Sequence, residues 1–179
     1  MQRKSQISTR LHLLRLEEFA RCCGAQVQWS GRLPGAVGQV DQGRIVLRSG
    51  LRPAQALQTL VHELTHLLVH CHASPRINRT VCEYEAEAVE RWVSAALEND
   101  EPADATDYTE DLLASSVARV QRAASILIYV ARQDPTVWRA SEASEPQAAI
   151  KIHTSAGEEV VLHNELHRMR NLIGLSQPL

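Results

Sequence analysis

Two histidines four residues apart, His62 and His66, sit inside the most regular apolar helix pattern of the chain. Pro53 suits a first helical turn, and Ala56, Leu57, Leu60, Leu64, Leu67 and Leu68 recur after it at helical spacing. A segment that must bury those side chains on one face folds as an amphipathic helix, here over 53–70. Residues four apart lie on one face of such a helix, so both imidazoles can grip a single ion. Glu63 follows the first histidine, where it can take a proton from a water held by that ion. The stretch His62-Glu63-Leu64-Thr65-His66 is therefore an HExxH motif, the core of a zinc hydrolase. Residue frequencies alone would produce the letters in roughly one such sequence in thirty, so the helical setting carries much of the weight.

A zinc site needs a third protein ligand and an open position for water and substrate. His72 lies six residues after His66, the spacing of the metzincin pattern HExxHxxGxxH. That pattern needs a glycine where the chain turns back, and Val69 stands there, a β-branched residue poorly suited to positive φ. The only methionine downstream, Met169, is too distant to form a Met-turn. The competing ligand is a glutamate from the next helix, over 81–97. Its packed side is made by Cys82, Ala86, Val89, Val93 and Ala96, and Glu83 and Glu87 lie one turn apart. This is the gluzincin plan: Glu83 binds the metal, and Glu87 supports a histidine ligand through a hydrogen bond. Glu85 is the fallback on the same helix.

Leu60-Val-His-Glu-Leu-Thr-His-Leu-Leu-Val-His70 followed by Glu83-Tyr-Glu-Ala-Glu-Ala-Val89 resembles the IrrE/ImmA family of metallopeptidases and the related zincin domain of ArdC-type antirestriction proteins. Arg76-Ile-Asn-Arg79 is similar to an R-L-N-R stretch of the ArdC branch, and Gly43-Arg-Ile-Val-Leu-Arg48 to the strand before the zinc helix in both. The likeness spans residues 8–131 and is strongest over 60–97. It implies a zinc-dependent intracellular peptidase with His62, His66 and Glu83 as ligands and Glu63 as general base. Several members of the family act on helix-turn-helix repressors, often encoded by phages or mobile elements. The family's usual asparagine on the ligand helix is Glu87 here, and the last fifty or so residues have no counterpart.

The formal charge of −2 gives no electrostatic footprint for nucleic acid. With Phe19 as the only phenylalanine, the core must be built from Leu, Val, Ile and Ala. Cys22, Cys23, Cys71 and Cys82 form no C-x-x-C pair and read as free thiols. No signal peptide or membrane span is evident, so the expected location is the cytoplasm.

The expected fold is α+β and zincin-like: a small antiparallel sheet packed on the HExxH helix and the Glu-bearing helix, with further C-terminal helices. A helix over 8–23 should turn Leu11, Leu14, Phe19 and Cys22 inward. A strand over 25–29 and a hairpin of 37–40 and 44–48 around Asp41-Gln-Gly43 should follow. An acidic loop over 98–111 carries Tyr108, the candidate for stabilising an oxyanion. A helix over 111–132 completes a domain at 1–133. Residues 134–179 read as a linker, a second hairpin (149–154 and 159–163) and a last helix over 164–173. The expected activity is Zn2+-dependent cleavage of a protein or peptide, such as a helix-turn-helix repressor, with no membrane partner. The alternative is a zincin-fold binding module of a phage, mobile-element or antirestriction system, with metal in a structural role.

Overall fold

The computed structural model describes residues 2–41, 43–70, 78–99, 106–110, 112, 114–136, 151–153, 157 and 159–161. The first helix, α1, runs Gln2–Cys22, followed by strands β1 (Gln26–Ser30), β2 (Gly38–Asp41) and β3 (Arg44–Arg48). Helix α2 spans Pro53–Thr65 and continues as a π-turn over His66–His70. Then come α3 (Arg79–Asn99), a one-turn α4 (Thr106–Thr109), α5 (Ala114–Arg132), and strands β4 (Lys151–His153) and β5 (Glu159–Val161). This is an α+β chain, as the periodicity indicated. Among the described residues no helix is long and apolar enough to cross a membrane. The last expected helix, His72, Cys71 and most of the expected linker lie outside the described residues. Cys82 is a free thiol.

The sheet departs from expectation in one respect. It is mixed, in the order β1-β3-β2, with β2 antiparallel and β1 parallel to β3. The cause lies in the strand compositions. β3 carries Ile45 and Leu47, both fully buried, and so takes the central position. β2 alternates between half-buried and exposed positions and stays at the edge, while β1 pairs along the other side of β3. The hairpin from β2 to β3 turns at Gly43, whose φ of 76° admits the left-handed conformation.

Helix α2 is the centre of the packing: α1, α3 and the strands β2 and β3 all press on it. Leu60, Val61 and Leu64 are fully buried there, each removal from water worth about 1.5–3 kcal/mol. α3 contributes Ala88, Val89, Trp92 and Val93 to the same core, and α5 contributes Val120, Ala124, Leu127 and Val130. α1 is rotated relative to the expectation. It buries Leu16, Phe19 and Ala20, with Cys23 just beyond its end, and leaves Leu11 and Leu14 exposed. Asn78 starts α3 by accepting the Thr80 amide on its side-chain oxygen, a normal N-cap. β4 and β5 pair as the expected second hairpin.

Strand β2 reaches α2 at unusually close range. A Cβ on Gly38 would lie 2.7 Å from Glu63 Oε1 and collide with the Thr59 methyl group. Both obstacles are held by packing on α2, so the strand cannot simply back away. Gly38→Ala is expected to destabilise the protein by about 1–3 kcal/mol in chemical denaturation, as overpacking does. A denaturation midpoint equal to that of the unsubstituted protein would show that β2 has room to move.

Candidate metal centre

Helix periodicity brings His62 and His66 to one face of α2, and the antiparallel return of the chain sets α3 beside it. Their Nε2 atoms are 3.1 Å apart. Glu83 Oε2, from the first turns of α3, lies 3.4 Å from His62 Nε2 and 3.6 Å from His66 Nε2. These three residues could hold a metal ion. The Glu83 side chain remains 43% exposed, so solvent reaches the group from that side. Arg79, one turn before Glu83, approaches its other oxygen at 3.7 Å.

The outward nitrogens of both rings are engaged. His62 Nδ1 donates to Glu90 Oε2 at 3.3 Å, since a carboxylate can only accept. That bond is the main reason the His62 imidazolium is favoured beyond its ordinary range, and it makes Nε2 a more basic donor. His66 Nδ1 faces His70 Nδ1 at 2.9 Å. Burial, with the neighbouring His62 and His70, pushes His66 down to about 4, so its ring is neutral near pH 7. With both Nδ1 atoms engaged, the two Nε2 atoms and a carboxylate oxygen converge on one point.

Glu63 lies on the neighbouring side of α2, 7% exposed, under the edge of β2. Burial raises its carboxyl to about 7, against partial relief from His62 and the Val40 amide. Val40 stands opposite Ile45 of β3, and its amide points away from that strand toward Glu63. Among the described residues the carboxylate therefore sits at the unpaired edge of the sheet. A base poised near neutrality matches the requirement for proton transfer at physiological pH.

Three other sequence expectations meet different outcomes. Glu87 is exposed, and it is Glu90, one turn later, that holds His62. Helix phase gives the reason: seven residues fall about 20° short of two full turns, whereas four overshoot one turn by about 40°. Glu85 is 1% exposed and is bonded to His70 and Arg119, so it is not open to a metal. Tyr108 is not joined to the cluster. Its ring stacks on Trp92 at 6.0 Å and 7°, and Trp92 lies nine residues along α3 from Glu83, about 13 Å of helix. Sequence reasoning missed Glu90 and His70, although both sit in register with the motif.

No protein-family model matches the chain, and no match was found to a curated protein or to a solved structure.

Two measurements follow from this geometry. Glu90→Ala should weaken zinc binding by about 10–100-fold in a competition titration, whereas Glu87→Ala should leave it unchanged. Equal effects of the two substitutions would remove Glu90 from its assigned role. The second concerns Glu63 in metal-free protein. A carboxyl raised from its ordinary range to about 7 favours the folded state below pH 4.5, and that advantage is lost as pH rises through 7. Glu63→Gln should therefore stabilise metal-free protein by about 2–3 kcal/mol at pH 8, and by less than about 1 kcal/mol at pH 5. A gain independent of pH would contradict the buried charge.

Proposed function

We propose that the chain is a zinc-dependent metallopeptidase of the gluzincin plan, with His62, His66 and Glu83 as ligands and Glu63 as general base. The observation that carries this reading is the convergence of three electron-pair donors 3.1, 3.4 and 3.6 Å apart. Tetrahedral zinc with bonds of about 2.0–2.1 Å sets its ligand atoms about 3.3–3.4 Å apart, which these separations straddle. Two neutral imidazoles and one carboxylate are also a donor set that zinc accepts.

Bound there, the ion would polarise a scissile carbonyl and acidify a water. Glu63 takes the proton of the attacking water and returns it to the leaving amine, which its poise near neutrality allows. The edge of β2, unpaired among the described residues, supports the reading of a peptide substrate. An extended segment can add to that edge through main-chain hydrogen bonds, and Glu63 lies along it. Arg79 offers a positive charge beside Glu83 on the solvent side.

The resemblance of residues 60–97 to the IrrE/ImmA family supports an intracellular setting and a folded regulatory substrate, such as a helix-turn-helix repressor. Adjacent genes encoding a small repressor would supply the first substrate to test.

Glu63→Gln is expected to retain zinc in metal analysis while peptide-bond cleavage falls about 10²–10⁴-fold. Glu83→Ala should instead lower the zinc content itself. If Glu83→Ala kept full zinc while His72→Ala lost it, the ligand assignment would be wrong. Undiminished activity in Glu63→Gln would favour a binding module with structural metal.

A further inference from the structure

Behind the metal-facing side of His66 runs a chain of polar groups that crosses the apolar interior and ends at Arg119, whose side chain is 38% exposed. His66 Nδ1 meets His70 Nδ1 at 2.9 Å, and His70 Nε2 meets Glu85 Oε2 at 3.0 Å. Arg119, from α5, closes the chain with two hydrogen bonds to Glu85, one of them from Nε to Oε2 at 3.3 Å. The same guanidinium touches Ser116 Oγ at 3.3 Å. The side chains of His70 and Glu85 are only 7% and 1% exposed. We propose that His70, held by Glu85 and Arg119, is a positioning residue that fixes the ring and tautomer of His66 and so sets the metal affinity of the site. The proposal rests on the metal-centre reading above and adds to it the group that prepares one ligand.

The tautomers follow from which atoms can donate. A carboxylate only accepts, so His70 carries its hydrogen on Nε2 and donates to Glu85. Nδ1 of a neutral His70 is then a bare acceptor. It takes the hydrogen of His66 Nδ1, which leaves the His66 Nε2 lone pair directed at His62 and Glu83. Arg119 keeps Glu85 supplied with a counter-charge and so holds the far end of the chain in place.

Backbone geometry serves the same end. In a regular α-helix each step of four residues overshoots a full turn by about 40°, so a third histidine would drift away from the first two. The wider π-turn over His66–His70 removes part of that drift and brings His70 back over His66. Stability alone gives little reason for such a chain. A buried ionic cluster exchanged for apolar side chains of similar volume is often no less stable. A role in orienting a ligand accounts for both the polar groups and the irregular turn.

The test measures Zn2+ affinity by competition with a chelating indicator, on the full chain, for the unsubstituted protein, His70→Ala, His70→Gln and Arg119→Met. Folding of each variant is checked by circular dichroism. His70→Ala should bind zinc about 10–100-fold more weakly. His70→Gln should recover most of that loss, because its amide offers an acceptor and a donor on adjacent atoms. Arg119→Met should shift affinity in the same direction as His70→Ala, by less. In nitrogen-detected histidine NMR of the zinc-loaded unsubstituted protein, His70 should carry its hydrogen on Nε2 and His66 on Nδ1. A folded His70→Ala variant with unchanged zinc affinity overturns the proposal, as does the opposite tautomer at His70. If His70→Ala does not fold, the tautomers and Arg119→Met decide. Failure of the folded, unsubstituted protein to take up zinc would sink the metal-centre reading itself, a result distinct from equal affinities across the series.

Discussion

A group able to hold a metal ion needs two imidazole nitrogens and a carboxylate oxygen aimed at one point, and each of the three here has a partner beside it. His62 is held from behind by Glu90, His66 by His70, and Glu83 is flanked by Arg79. The supports come from helices that also make the core, so the donors inherit the rigidity of packed side chains. The pairs His62–Glu90 and His70–Glu85 run in opposite directions along α2 and α3. The two helices are therefore antiparallel where they carry the site, and side chains from successive turns of one find successive turns of the other.

Two buried glutamates show how partners, more than burial, decide the charge. Glu63 and Glu85 are 7% and 1% exposed. Burial pushes both carboxyls up. At Glu63 the compensation is slight, and the group rests at about 7. At Glu85 hydrogen bonds from His70, Arg119 and Ser116 outweigh burial and hold the carboxyl at about 2. One group is left able to exchange a proton near neutral pH, and the other is fixed as an anion. The same residue type is thus poised near neutrality at the sheet edge and held as an anion in the interior.

Much of this could be read from the residues. The helix bearing His62, Glu63 and His66 follows from its leucine spacing, and Glu83 does lie beside both histidines. The hairpin of β2 and β3 and the second hairpin were visible in their turns. What escaped was rotation about helix axes. Glu87 and Glu90 differ by less than a turn, and only the placement of α2 against α3 decides which reaches His62. On α1, Leu11 and Leu14 look as apolar as Leu16 and Phe19, yet only the latter pair faces the neighbouring helices. The parallel pairing of β1 was hidden for a similar reason. Strand order depends on which strand is apolar enough to be central, and local turn signals do not carry that information. His70 gave no local signal because its partner Glu85 lies 15 residues away, and Arg119, which holds Glu85, lies 34 residues beyond that.

Gly38 shows how the sheet is tied to the same constraint. The approach of β2 to α2 leaves no space for a Cβ above Glu63, and this closeness lets the Val40 amide reach the Glu63 carboxylate. A side chain at position 38 would lift the strand, weaken that hydrogen bond and admit water over the carboxylate. Two opposed effects would then act on the same group. Loss of the amide bond would raise its proton affinity, and added water would lower it. Since burial is the dominant cause of the present shift, rehydration would prevail and return Glu63 toward an ordinary carboxylate. The smallest residue of the edge strand therefore stands where an added side chain would change the surroundings of the Glu63 carboxyl on the neighbouring helix.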